Sequence, residues 1–231
     1  MTANLESAAV ALRDNLITAE VAIQAAQDAV AAIAAQVVGP SGVLTPPLFS
    51  QREPEWSSHQ LGTSDKTIGS HGCVVTCLAM ILQAFGLAET PASVNEKMTA
   101  RHGYHSTNHV IWESVQRIWP SVNFMGRFDC ITVPAPTAEI NRRLALGFPV
   151  IAWLDFDERP GIQQHFVLLV EAVLDDSGET ADYHIHDPWA WTEQNDSLVK
   201  TYAQSVPGKP WLQTAAGIIQ GVRYYEPARQ A

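Results

Sequence analysis

Leu5, Ala9, Leu12, Leu16, Ala19, Ile23, Ala26, Val30, Ile33 and Val37 recur at alternating intervals of four and three. This is a heptad register, with Ala9, Leu16, Ile23, Val30 and Val37 at a and Leu5, Leu12, Ala19, Ala26 and Ile33 at d. It predicts a helix over residues 4–38, about 50 Å long at about 1.5 Å per residue. No glycine or proline interrupts it. Val10, Ile17 and Val21 widen the apolar face beyond a two-stranded seam, which favours a three-stranded coil or docking on a larger body. The alternative is a helix folded back on its own domain. Gly39-Pro40 stops the pattern and Pro46-Pro47 stiffens the exit, so residues 39–50 read as a linker. The expected organisation is an N-terminal coiled-coil helix over 1–38, the linker over 39–50 and a main domain over 51–231.

Within the main domain, residues 51–72 carry few periodic apolar positions and read as a long ordered loop, a feature that is usually functional. Apolar spacing turns helical after Cys73, through Cys77, Met80, Ile81 and Leu82, and Gly86 stands where a left-handed cap belongs. Thr90-Pro91 opens a second helix that Gly103 closes. Residues 109–119 predict a third, ending before Pro120, and a strand comes next near 123–132. Thr137 is expected to cap a short helix that ends at Gly147. The chain then turns to strand in residues 149–156, 165–174, 181–187 and 217–225. Helices first and a run of antiparallel strands afterwards is an α+β arrangement.

The chain has 231 residues, 46% of them hydrophobic, which is enough for one sizeable core. A net charge of −10 argues against nucleic acid or an anionic membrane as the main partner. Three cysteines, at 73, 77 and 130, make no disulfide framework. Neither a signal peptide nor a run long enough to span a membrane is expected.

The candidate chemistry gathers around Cys73. A loop of small residues, Gly69-Ser70-His71-Gly72, delivers it to the first turn of its helix, where unpaired N–H groups and the helix dipole favour a thiolate. Gly72 allows close backbone approach, as by a substrate. Cys77, one turn further in, reads as core. His165 opens one strand and Asp187 ends another, and the turn signal Asp175-Asp176-Ser177-Gly178 lies midway between them. An antiparallel hairpin therefore brings His165 and Asp187 together at its open end. A cysteine facing that end would complete a Cys-His-Asp set, in which imidazole takes the thiol proton and carboxylate orients imidazole. Two histidine groups, His102, His105 and His109, and His184 and His186, lack a completing carboxylate or cysteine, so neither a metal nor another cofactor is expected.

Gly72-Cys73-Val74-Val75-Thr76-Cys77-Leu78-Ala79-Met80 resembles the signature of papain-like cysteine peptidases of the bacteriocin-processing type, nearest to the branch in phage lysins, tail-associated peptidases and bacterial surface proteins. Gln51-Arg52-Glu53-Pro54-Glu55-Trp56 is similar to the segment preceding the cysteine in that branch. His165-Phe166-Val167-Leu168-Leu169-Val170 and Asp187-Pro188 match the family's histidine strand and its D-P pair. The resemblance covers roughly residues 49–190. It implies a papain-like fold of a helical half and an antiparallel sheet, with Cys73 as nucleophile, His165 as base and then acid, and Asp187 as orienter. It also implies an oxyanion hole formed by the Gln51 amide and the Cys73 backbone N–H. Glu171-Ala172 and Trp189-Ala190-Trp191 stand where the family commonly has glycines, so Trp189 and Trp191 are expected to wall the substrate groove.

The implied function is a cysteine peptidase or amidase cutting peptide bonds, with peptidoglycan peptides as substrate. The implied setting is a phage lysin or virion-associated wall-degrading component, placed in the phage tail or in the host cytoplasm until lysis. The N-terminal helix would supply a homo-oligomer or an assembly partner. The alternative is a structural virion or surface protein whose papain-like domain is a binding module with little activity.

Overall fold

The computed structural model describes residue 26 and residues 45–156, 163–189 and 196–228. The chain divides into two units, Met1–Val43 and Leu44–Ala231. The coiled coil expected over 4–38 lies outside the described residues, apart from Ala26, which is helical.

In the second unit a short helix, α1 (Ile68–His71), leads directly into α2 (Cys73–Ala84), and α3 (Pro91–Ala100) comes after it. A two-stranded hairpin, β1 (Tyr104–His105) and β2 (His109–Val110), precedes α4 (Ser114–Ile118). Then come β3 (Val122–Asp129), α5 (Thr137–Ala145), β4 (Val150–Asp155), β5 (Gln164–Leu174) and β6 (Thr180–His186). The chain closes with α6 (Leu198–Tyr202), a 3₁₀ turn at Pro210–Gln213, α7 (Ala215–Ile218) and β7 (Ile219–Pro227). Five strands form one antiparallel sheet in the order β3-β7-β4-β5-β6. The α+β reading from the order of elements is what the structure has.

Both faces of the sheet are covered, which explains why β4 is buried at every position from Val150 to Leu154. On one face Ile151, Leu168 and Tyr225 pack against α2, α3 and the Trp112–Trp119 region. On the other, Val150, Ala152, Leu154, Val167 and Leu169 meet Ile140 and Leu144 of α5 and Ile218 of α7. Helix α2 is the centre of the first layer. Val75 to Leu82 are all buried, as expected of a helix that is apolar all round. Truncating a residue such as Leu82 there would cost about 2–5 kcal/mol.

The second predicted helix has the expected start: the Thr90 side chain accepts from Ser93 N–H in a capping box, with Pro91 as first helical residue. The region 109–119 differs from its periodicity. Ser106 adopts φ 60°, β1 and β2 pair, and Ile111 N–H reaches Gly103 O at 2.9 Å, so only Ser114–Ile118 is left to coil. Thr137 is the first residue of α5 rather than its cap, which is Pro136. Residues 215–218, partly expected as strand, form α7 because Thr214 caps Gly217 N–H. Among the described residues no helix is long and apolar enough to cross a membrane.

Candidate active site

The junction of α1 and α2 sets the position of Cys73. Gly72 ends one helix and begins the next, and a Cβ on it would lie 2.5 Å from Ile68 O. Gly72 thus permits the close approach of its own preceding turn. Cys73 is the first residue of α2, so its backbone N–H has no intrahelical acceptor. Its side chain is partly exposed, whereas Cys77 and Cys130 are buried. Burial pushes the Cys77 thiol well up and the Cys130 thiol up to about 11.

The β5–β6 hairpin supplies the other two groups. Its turn is held by Asp175 Oδ1, which accepts from Ser177 N–H at 2.9 Å and Glu179 N–H at 3.0 Å. From there the ladder runs back to the pair Leu168–His186. His165 and Asp187 lie just beyond, and His165 Nε2 stands 2.7 Å from Asp187 Oδ1. The residues that the turn position predicted to be neighbours are hydrogen-bonded.

Asp187 is 1% exposed. It also accepts from Trp189 N–H at 2.9 Å and from the Tyr202 hydroxyl at 2.6 Å. Burial works against its charge, but His165, Tyr202 and the Trp189 N–H outweigh it and hold the carboxyl below its ordinary range. Burial likewise works against the imidazolium of His165. Its hydrogen bonds with Asp187 and Cys73, and their negative charge, prevail and raise it to about 9. Since Nε2 is engaged by Asp187, Nδ1 is the nitrogen left for Cys73.

Gln51 is buried and faces the same space. Its backbone N–H bonds Pro188 O at 2.7 Å, and its side-chain Nε2 donates to Gly69 O at 3.0 Å. One of the two amide hydrogens is thus committed to the loop before Cys73. Residues 47–51 are stitched to the end of β6. Ser50 Oγ donates to Pro188 O at 3.2 Å, and His186 Nδ1 to Pro47 O at 3.2 Å. Phe49 packs edge-on against Trp56.

These groups open on a cavity of about 770 Å³. Cys73, His165 and Gln51 line it together with Trp112, Trp153 and Trp189. Trp189 is 43% exposed, and the Arg52 guanidinium lies 4.1 Å from its ring centre. Trp191 lies outside the described residues. Sequence reasoning does not single out Tyr202, because nothing in Leu198–Tyr202 marks a functional residue. Its ring lies 5.8 Å from that of His165. The available signal is Asp196-Ser197, a cap that places a helix soon after the Asp187 strand.

A sequence profile of the Peptidase C39 like family matches residues 43–215. Among solved structures, that of a presumed C39-like peptidase from Bacillus anthracis is similar, with a TM-score of 0.47 and 15% identity over 80% of this chain and 97% of that one. No curated protein matches the sequence.

Proposed function

The chain belongs to the peptidase C39-like family, and from that premise we propose that it is a cysteine peptidase or amidase of papain-like fold with Cys73, His165 and Asp187 as its catalytic set. The observation that carries the assignment is the 2.7 Å bond between buried Asp187 and His165, the latter lining the same cavity as a cysteine at a helix N-terminus.

In this reading the proton of Cys73 rests on His165, and the sulfur attacks the carbonyl carbon of the scissile amide. The resulting oxyanion is met by the Cys73 backbone N–H and the second N–H of Gln51, a neutral donor that does not itself titrate. His165 then gives its proton to the leaving amine, the C–N bond breaks, and a thioester remains. Water, deprotonated by the now neutral His165, attacks the thioester. The acid leaves and the sulfur is released with the proton again on imidazole. Asp187 holds the ring and stabilises the imidazolium throughout.

The finer reading is that the substrate is a peptidoglycan peptide and the setting a phage lysin or tail component. It is supported by the likeness of residues 51–56 and 72–80 to that branch. Trp189 would wall the groove, and residues 1–38 would join copies or tether the enzyme. Incubating the full chain with purified peptidoglycan and measuring new amino termini tests the proposal. Wild type is expected to release them, and Cys73→Ala to release none while melting at the same temperature. No release from walls of several bacterial types, with no cleavage of a protein substrate, would sink it.

A further inference from the structure

We propose that Tyr202 is a positioning residue of this reaction: its hydroxyl anchors Asp187 Oδ2 and so keeps His165 aimed at Cys73. The inference rests on the cysteine-peptidase reading and adds to it a residue outside the family's motifs.

Asp187 Oδ1 is occupied by His165 Nε2 and Trp189 N–H, at 2.7 and 2.9 Å. Hydrogen bonds on both oxygens of a carboxylate restrain its rotation about the Cβ–Cγ bond. Tyr202, at 2.6 Å from Oδ2, ties the other oxygen and fixes the plane. The same side chain packs its ring on His165 at an interplanar angle of 42°. One tyrosine therefore touches both members of the pair. Burial, followed by the Asp187 charge, pushes its phenol well up, so it remains a donor throughout the working pH range. Among the described residues, the titratable groups that face Asp187 include His165 on β5, Tyr202 on α6 and Cys77 on α2, with Cys73 beyond His165.

The helix that carries Tyr202 is held on two sides. Val199 N–H donates to Asp182 Oδ1 at 2.8 Å, and the Ser197 hydroxyl bonds Asp182 Oδ2. Gln204 Nε2 donates to Asp155 O at 2.6 Å, and Leu198 is fully buried. Asp182 lies on β6, the strand that leads into Asp187. A single strand thus sets both the carboxylate and the helix that clamps it, which is how a precise orientation is kept.

The test compares Tyr202→Phe with wild type in the full chain, alone and combined with Asp187→Asn. Phenylalanine keeps the ring on His165, and thermal unfolding checks that the fold survives. On purified peptidoglycan, Tyr202→Phe should lower kcat about 10-fold with KM unchanged, the scale of one lost hydrogen bond to a charged group. The low-pH limb should move to higher pH as Asp187 protonates more readily. In the Asp187→Asn background the second substitution should change the residual rate less than about 2-fold, because residues acting through one another are not additive. The NMR signal of the His165 Nε2 proton, which needs no turnover, should broaden or shift in Tyr202→Phe. A 10-fold loss in both backgrounds, or an unmoved His165 signal, overturns the proposal. If wild type cuts nothing, the cysteine-peptidase reading falls by itself, and the His165 signal still decides whether Tyr202 orients the pair.

Discussion

Replacing Asp187 by asparagine should release His165 from its protonated state, and the size of the effect can be worked from the site. The imidazole is raised from 6.5 to about 9 against the opposing pull of burial. At about 1.36 kcal/mol per pH unit, that rise corresponds to about 3 kcal/mol of preference for the imidazolium in the folded chain. Its sign fixes where the stability appears. Below about 6.5 imidazole is protonated whether the chain is folded or not, so the full contribution is present; it is lost as pH rises through about 9. Asp187 works in the opposite sense. Its carboxyl is lowered from 3.8, so its contribution is present above that value and fades as pH falls through the folded one. The contribution of this pair should therefore be greatest between about pH 4 and 6.5, and up to about 3 kcal/mol of it should be lost by pH 9.5. Asparagine cannot stabilise the cation, so in Asp187→Asn burial acts with only Cys73 to oppose it. His165 should then titrate well below its wild-type value, and the alkaline loss of stability should shrink. Ring-labelled histidine titrated by NMR, with urea unfolding at pH 6 and 9.5, measures both. A wild-type His165 that titrates near 6.5, or one that Asp187→Asn leaves in place, would refute the reasoning.

Other measurements test separate parts of the site. Iodoacetamide at neutral pH should label Cys73 well before Cys77 and Cys130, since Cys73 is partly exposed beside His165 and burial raises the other two thiols; peptide mapping showing Cys77 or Cys130 labelled first would reassign the nucleophile. Gln51→Ala should lower kcat about 100- to 1,000-fold with little change in KM, as expected for loss of one oxyanion donor, and a purely raised KM would make Gln51 a binding residue instead. Trp189→Ala should raise KM on cell-wall peptides without lowering the melting temperature; an unchanged KM would remove it from the groove. Light scattering should find the full chain associated and a chain starting near Pro46 monomeric, whereas a monomeric full chain would leave the heptad register with a foreign partner or its own domain.

The catalytic candidates were legible because their placement is local. Cys73 comes after a glycine at a helix start, and the distance from His165 to Asp187 is set by one hairpin whose turn is written in Asp175-Asp176-Ser177-Gly178. The features that escaped the sequence depend on long-range packing. Apolar spacing over 109–119 does not reveal that the Gly103 carbonyl binds Ile111 and draws the preceding residues into a hairpin. The commitment of one Gln51 hydrogen to Gly69 O is equally unreadable, as it needs the 51–67 loop folded over α1. That contact changes how Gln51 should be understood. A glutamine free to rotate would meet an oxyanion only part of the time. Bonded at its side chain to Gly69 and at its backbone to Pro188, Gln51 joins the loop that delivers Cys73 to the strand end that delivers Asp187. The proposed oxyanion donor is thereby fixed relative to both halves of the site, and the cost of orienting it is met in folding rather than during the reaction.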